Sequence, residues 1–153
     1  MNRRTVKWCV GLAAIAASAV LVLAAEPDPA VLAYKLPADF KWVESKEIPG
    51  LSSVVLQGDP GKAGPYIVRN RFSAGSFSRP HFHDGDRFIV VASGTWWVGT
   101  GDKFDPESTK PMPVGSFVLH HAGKVHYDGA KAEACEVVIY GIGPVTTTRV
   151  DAR

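Results

Sequence analysis

Short runs of strand-forming residues recur along most of this sequence, each bounded by glycine, proline or aspartate. From residue 40 to residue 143 there are nine such runs, rich in valine, isoleucine, phenylalanine, tryptophan and threonine. Their spacing is near the roughly 8–12 residues typical of β-sandwiches and barrels, and no stretch beyond residue 25 has the helical apolar period of about 3.6 residues. We therefore predict one all-β domain, closed or double-sheeted so that few strand edges stay unpaired. The runs are FKWVE, LSSVVLQG, PYIVRNRFS, SFSRPHFH, RFIVVASG, TWWVGTG, GSFVLHH, KVHYDGA and CEVVIYGIG.

The first 25 residues have the pattern of a secretory signal peptide. A basic start, MNRRTVKW, precedes the apolar run CVGLAAIAASAVLVLAA, which ends in small residues before EPDP. This is the order of a charged region, an apolar region and a cleavage site. An uncleaved membrane anchor is the alternative, but the run is short for the roughly 20 residues that a membrane span needs. We expect cleavage after Ala24 or Ala25, a secreted or periplasmic protein, and no membrane contact after cleavage.

Cleavage changes the charge and the cysteine content of the chain. The leader carries three of the 17 basic residues and none of the 15 acidic ones, so the mature chain has a net charge of −1. It offers no basic patch for nucleic acid. Of the two cysteines only Cys135 remains, so no internal disulfide can form, and its apolar run predicts a buried thiol. Residues 26–37 are predicted to be an extended arm, and residues 38–153 to be the β domain.

Three histidines are candidate ligands for a metal ion. His81 and His83 are two residues apart, so on a strand they share one face, and His126 begins a later run. Imidazole binds Zn, Fe, Ni, Mn and Cu well, and three imidazoles leave positions open for water or substrate. On its own, however, a pair of histidines with this spacing is a weak signal, because many such pairs lie on protein surfaces.

Glycines at fixed distances from these histidines make the signal specific. The first segment reads Gly75, five residues, His81-x-His83, three residues, Arg87, six residues, Gly94; the second reads Gly115, five residues, His121-x-Gly123, two residues, His126. This resembles the two motifs of the cupin superfamily, G-x5-H-x-H-x3-E-x6-G and G-x5-P-x-G-x2-H-x3-N. The stretches HFHDGDRF, GTWWVGTGDKFD and HYDGAK also look like a subgroup of small exported single-domain cupins.

The resemblance implies a cupin-type double-stranded β-helix, which is a jelly-roll barrel. It further implies one divalent transition metal ion, Fe, Zn, Mn or Ni, cradled by His81, His83 and His126. Tyr127 and Asp128 follow the last histidine and are candidate catalytic residues for proton transfer. His120 and His121 alternate faces, so only one can look inward; each is either a hydrogen-bonding neighbour of a ligand or a solvated loop residue.

Three positions depart from the motifs. His121 replaces the proline and Ala130 the asparagine, both of which shape turns, whereas Arg87 replaces the glutamate ligand. A guanidinium repels a metal: a unit charge about 6 Å from a dication costs about 5 kcal/mol at an effective dielectric near 20. One interpretation pairs Arg87 with Asp84 or Asp86. The other makes Arg87 the substrate-binding residue for an anion such as a carboxylate or enolate.

These residues predict an exported metal-binding cupin that acts on a small anionic organic substrate. With iron the chemistry would be of the dioxygenase type, and with zinc, nickel or manganese of the lyase or isomerase type. The alternative is a non-catalytic module that binds a small ligand, with Arg87 as the anion anchor and no catalytic metal. Expected partners are a small molecule and a second copy of the chain in a homodimer.

Overall fold

A computed structural model describes residues 25–150. The predicted signal peptide therefore lies outside the described residues, except for its last position. The described chain divides into two units, one that ends at residue 34 and one that begins at residue 35. The described part of the first unit is irregular apart from one turn, in which the main-chain N–H groups of Val31 and Leu32 donate to the Asp28 carbonyl. No helix within the described range has the length and apolar character needed to cross a membrane.

The second unit is built from strands, as the sequence predicts. All nine predicted runs contain a strand, and within residues 35–150 the only helical segments are two 3-10 turns, Pro37–Asp39 and Pro106–Ser108. The strands are β1 (Val43–Glu44), β2 (Leu51–Gln57), β3 (Gly64–Phe72), β4 (His81–His83), β5 (Arg87–Ser93), β6 (Trp96–Thr100), β7 (Lys110–Met112), β8 (Phe117–His120), β9 (His126–Gly129), β10 (Cys135–Gly143) and β11 (Thr147–Arg149).

The strands form two antiparallel sheets, which confirms the predicted jelly-roll architecture. One has six strands in the order β1-β2-β3-β10-β5-β8, and the other has five in the order β11-β4-β9-β6-β7. Strands β7 and β11 were not predicted. Both are three-residue edge strands, and β7 contains Pro111, a residue that sheets tolerate at an edge. Their pairing with β6 and β4, rather than their own residues, defines them.

Alternation along the central strands builds the apolar core. Ile89 and Val91 of β5 pair with Ile139 and Val137 of β10, and all four side chains are buried. The turn from β5 to β6 requires a glycine, because Gly94 has φ +64° and a Cβ there would lie 2.2 Å from the Ala134 carbonyl oxygen. The spacing of the motif glycines thus has a structural cause at this position.

Candidate functional site

The three predicted histidines come together between the sheets. His81 and His83 point from the same face of β4, and His81 pairs in register with His126 of β9. Their ring centroids lie 4.4 to 5.3 Å apart, and one ring nitrogen from each lies within 4.8 Å of the other two. All three side chains are buried. The register of two short strands therefore creates the cluster.

Main-chain carbonyls orient all three rings in the same way. His81 Nδ1 donates to the Arg79 carbonyl at 2.7 Å, and His126 Nδ1 donates to the Lys124 carbonyl at 2.9 Å. His83 Nδ1 donates to the Thr146 carbonyl at 3.2 Å. A carbonyl only accepts, so each ring carries its proton on Nδ1 and leaves the Nε2 lone pair for another partner. This is the arrangement of a metal-binding histidine, and the donor set fits a divalent transition metal ion.

The two acids near Arg87 do not pair with it, so that interpretation of the sequence is wrong. Asp84 accepts hydrogen bonds from the main-chain N–H and the Oγ1 hydroxyl of Thr146, both at 2.8 Å. Asp86 accepts from the Ala122 N–H at 2.8 Å. Both carboxylates brace loops around the cluster. Asp84 also acts on the site, because it fixes Thr146, whose carbonyl orients the ring of His83.

Arg87 instead points into the cluster from the first position of β5. Its Nη1 donates a hydrogen bond to Nε2 of His83, the lone pair that the motif would give to a metal. Its Nε is buried and has no hydrogen-bond partner in the described part of the chain. The Tyr66 hydroxyl lies beside the guanidinium, and burial is the main cause that lowers the pKa of Arg87. A buried cation thus stands at the position where the motif has an anion.

A cavity of about 190 Å³ lies beside the cluster, between the sheets. It is smaller than the roughly 300–1,000 Å³ typical of sites for drug-sized ligands, so it fits a small organic molecule. Seven apolar residues and eight polar or charged residues line it. The polar and charged residues of the lining are Asn70, Ser78, His81, His83, Arg87, His120, Asp128 and Thr147.

Strand alternation separates the two predicted catalytic residues. Asp128 is buried and lines the cavity on the same face of β9 as His126. Tyr127 points to the opposite face, where its hydroxyl donates to the Asp105 carbonyl at 3.0 Å and lies 3.2 Å from Ser108 Oγ. The sequence prediction of Tyr127 as a proton-transfer group near the substrate is therefore wrong in its placement, and Asp128 remains the candidate.

The register of β8 assigns the two histidines that the sequence left open. His120 pairs with Arg87 across the sheet and points inward, whereas His121 is exposed. The His120 ring centroid lies 3.7 Å from that of His126 and 5.5 Å from that of Trp96. Both His120 nitrogens are buried and have no hydrogen-bond partner within residues 25–150.

Burial keeps these imidazoles neutral. Desolvation lowers the pKa of His83 to about 2, with the Arg87 charge as the next cause, and lowers the pKa of His120 to about 2, with His126 as the next cause. The pKa of His126 is lowered as well, again mainly by burial. A neutral imidazole keeps the lone pair that a metal ion or a hydrogen-bond donor needs.

Solved structures that match this chain over most of its length establish the fold. The polyketide cyclase RemF from Streptomyces resistomycificus matches with a TM-score of 0.68 and 16% identity, over 80% of this chain and 87% of that chain. A sugar phosphate isomerase of the cupin superfamily from Silicibacter pomeroyi matches with a TM-score of 0.60 and 20% identity, over 77% and 82%. The protein has the cupin fold. KdgF from Halomonas sp. matches with a TM-score of 0.57 and 14% identity, over 72% and 94%. No protein-family model matches the chain, and no curated protein sequence matches it significantly.

The cupin fold explains two of the three departures from the motifs. The His121 carbonyl accepts from the Lys124 N–H at 3.2 Å, so the position of the motif proline still forms a turn. Ala130 is fully buried, and its N–H and carbonyl bond to Ser76 and Gly75. Neither side chain carries chemistry, which leaves Arg87 as the departure that changes the site.

Sequence reasoning missed three polar residues of this cavity lining, which are Asn70, Ser78 and Thr147. Asn70 lines the cavity from β3, where it accepts a hydrogen bond from Ser53 Oγ at 2.7 Å. A signal for it exists in the sequence. Asn70 shares a strand face with Tyr66, Val68 and Phe72, so it is the polar side chain on an otherwise largely apolar face.

Proposed function

We propose that this chain is a metal-binding cupin protein that takes a small anionic organic molecule into the cavity between its sheets. The proposal rests on the shared orientation of three buried imidazoles, which belong to His81, His83 and His126. Each donates Nδ1 to a main-chain carbonyl, which turns Nε2 toward the interior, where Nε2 of His83 accepts a hydrogen bond from Arg87. His81, His83 and His126 are the metal-binding set that the motifs imply, and their donor atoms lie close enough to share one ion.

The chain's own residues suit a small acid. A divalent transition metal ion in this cluster would supply a Lewis acid or, with iron, a centre for oxygen chemistry. Arg87 offers a fork of N–H donors that orients a carboxylate by two hydrogen bonds. Asp128 is placed to accept or return a proton, and the apolar wall excludes water. The reaction class is therefore a proton transfer of the lyase or isomerase type, or an oxygenation if the ion is iron.

Matching solved structures support a small-molecule function. Two of them are named as a polyketide cyclase and a sugar phosphate isomerase, and both names describe action on small organic molecules. At 16% and 20% identity these structures share the fold with this chain, and the substrate has to be argued from the cavity. The buried guanidinium of Arg87 favours an anion.

Metal content tests the proposal. Protein is purified from its native export compartment, because imidazole sites take up whichever ion is abundant during overexpression. We expect about one transition metal ion per chain, and its loss in the triple variant His81→Ala, His83→Ala, His126→Ala. The control variant is His121→Ala, which removes an exposed imidazole outside the cavity. A metal-free native protein that is folded would contradict the proposal.

Anion binding tests the role of Arg87. Arg87→Gln removes the charge and keeps a side chain of similar length. We expect the affinity for small carboxylates to fall about tenfold or more, while the affinity for neutral analogues of the same shape changes little. Equal losses for charged and neutral ligands would contradict an anion-binding role.

A second candidate function is a binding module without catalytic metal. The observation that favours it is the hydrogen bond from Arg87 to Nε2 of His83, because a guanidinium on that lone pair excludes a metal from it. In this case the cavity holds an anion between Arg87 and the imidazoles. The metal analysis separates the two functions: a folded, metal-free protein that binds carboxylates supports this one.

Export belongs to the proposal as well. Its support is the order of a basic start, an apolar run and small residues within residues 1–25. Expression of the full chain in a Gram-negative host should give a periplasmic product whose first residue is Ala25 or Glu26. A membrane-bound product that retains Met1 would contradict it.

We also propose a homodimer through the outer face of the six-stranded sheet. Five apolar side chains on this face are between 38% and 63% exposed: Phe88, Val90, Phe117, Tyr140 and Ile142. They are neighbours, since Phe88 pairs with Tyr140 and Val90 with Phe117. A contiguous apolar patch marks an interaction surface, and these five uncharged side chains are complementary to a second copy of the patch. The ion pairs of Glu136 with Arg69 and Arg71 lie beside it on the same face.

A further inference from the structure

We infer that the metal-binding set of this cavity is His120, His126 and Asp128, so that the ion lies between β8 and β9 and away from His83. The inference rests on the proposed metal binding and changes its ligands. Only His126 is shared with the set implied by the motifs. His120 and Asp128 lie outside the ligand positions of both motifs, and the structure brings a donor atom of each within 4.8 Å of the others and of His126.

The first observation is which nitrogen atoms already have a partner. Nε2 of His83 accepts a hydrogen bond from Arg87, so this lone pair is engaged. In contrast, Nε2 of His126 and both ring nitrogens of His120 are buried without a partner among residues 25–150. Leaving a buried polar atom unpaired costs about 1–3 kcal/mol, so native structures normally satisfy such atoms. A metal ion between these two rings would engage Nε2 of His126 and one of the two His120 nitrogens.

The second observation is the placement of the carboxylate. Asp128 follows His126 by two residues on β9 and therefore points to the same face. Its hydrogen bonds with Ser78 use the main-chain N–H and carbonyl, which leaves the carboxylate for the cavity. The ring of His120 completes the group, with its centroid 3.7 Å from that of His126.

The chemistry of the donors favours this set. Two imidazoles and one carboxylate form the ligand type of many non-haem iron(II) sites, with positions open for substrate. The carboxylate also offsets the charge of Arg87. Three neutral imidazoles beside the guanidinium leave a dication with no anion to compensate it, whereas Asp128 removes one unit of that charge.

The remaining residues then have a distinct role. Arg87 and His83, joined by their hydrogen bond, line the same cavity, and Arg87 lies next to His120, its register partner on β8. An anionic ligand would then contact both the metal ion and the guanidinium. Arg87 at the glutamate position is thus compatible with metal binding, because the ion does not depend on His83.

The test compares matched variants of the mature chain, residues 26–153. The metal-free protein is titrated with Zn²⁺ against a chromophoric chelator, with circular dichroism as the check on folding. We expect Asp128→Asn and His120→Gln each to weaken Zn²⁺ binding by about tenfold or more, and the control variant His121→Gln, at an exposed position, to leave it unchanged. His83→Gln removes a ligand of the motif set and so separates the two sets; we expect it to change Zn²⁺ binding by less than about threefold. The opposite pattern, a loss with His83→Gln and none with Asp128→Asn, overturns the inference and leaves the proposed metal binding intact. A wild-type protein that binds no Zn²⁺ overturns both.

A second measurement needs no variant and so covers the case in which one fails to fold. Nitrogen-15 resonances of the histidine rings are recorded in the metal-free protein and again with one equivalent of Zn²⁺. We expect the ring signals of His120 and His126 to shift on binding and those of His83 to stay in place. Shifts of His81 and His83 without a shift of His120 would overturn the inference.

Discussion

Arg87 donates a hydrogen bond through Nη1 to Nε2 of His83. The motif has glutamate at the position of Arg87, and a glutamate there would be free to bind the same ion as the histidine. In this chain Arg87 stands where the motif has a potential metal ligand, and its guanidinium competes with a metal ion for Nε2 of His83. The pair therefore decides whether His83 can bind a metal ion, and it leaves the nitrogens of His120 and His126 unaffected.

Restoring the motif glutamate should strengthen metal binding. Arg87→Glu releases His83 Nε2 and replaces a nearby positive charge with a negative one. A unit charge about 6 Å from a dication contributes about 5 kcal/mol at an effective dielectric near 20, and a tenfold gain in affinity needs only about 1.4 kcal/mol of this. We expect the Kd for Zn²⁺, measured by chelator competition, to fall about tenfold or more.

The charge control for this variant is Lys110→Glu. Lys110 is exposed on the edge strand β7, and its replacement changes the net charge of the chain by the same amount. If Arg87→Glu bound Zn²⁺ no more tightly than Lys110→Glu, the guanidinium would not be the group that limits metal binding.

Tyr127→Phe should lower stability and leave ligand binding unchanged. The Tyr127 hydroxyl bonds to Asp105 and Ser108, on the face of β9 away from the cavity. Losing a hydrogen bond of this kind costs about 0.5–1.5 kcal/mol. We expect a decrease of that size in the free energy of unfolding, measured in urea, with unaltered affinity for Zn²⁺ and small carboxylates.

A matched deletion beside Arg87 gives the comparison. Tyr66→Phe removes the same atom from a hydroxyl that lies beside Arg87. There we expect weaker carboxylate binding, because the guanidinium loses a neighbour that positions it. A loss of carboxylate binding in Tyr127→Phe at unchanged stability would restore Tyr127 as a functional residue.

Local pattern predicts the strands and the histidine cluster because both depend on short-range geometry. Alternation fixes which face each strand residue takes, and it correctly places His81 with His83. Strands β7 and β11 show no such alternation in the sequence. Each is defined by its pairing with a neighbouring strand. A three-residue edge strand is set by the partner's free N–H and C=O groups, which lie far away in sequence.

The lack of an ion pair between Arg87 and a nearby acid could not be predicted for the same reason. Asp84 and Asp86 are close to Arg87 in sequence. Their carboxylates instead accept hydrogen bonds from the main-chain N–H groups of Thr146 and Ala122, which lie in distant loops. The choice between His120 and His121 depends likewise on the register of β8 with β5. The sequence identifies which residues are available for chemistry, and long-range register decides which of them meet.

Cys135 should be unreactive in the folded protein. Burial raises the pKa of its thiol to about 12, so almost none of it is thiolate at about pH 8. It is fully buried, and it is the single cysteine within residues 26–153. We expect alkylation by iodoacetamide, followed by mass spectrometry, to be at least about a hundredfold slower in buffer than in urea. Similar rates would show that β10 opens readily and that this part of the core is not stably packed.

The outer face of the six-stranded sheet should hold the proposed homodimer together. Val90 lies in the middle of this face on β5, between the inward-facing Ile89 and Val91, so its replacement leaves the core untouched. Val90→Lys places a charge in the apolar contact, and an unpaired charge buried at an interface costs several kcal/mol. We expect the variant to be a folded monomer by size-exclusion chromatography with light scattering, where the wild type has the mass of a dimer.

Thr148→Lys adds the same charge to an exposed position on β11 in the other sheet and should leave the dimer intact. A dimer that survives Val90→Lys and dissociates with Thr148→Lys would move the interface to the five-stranded sheet.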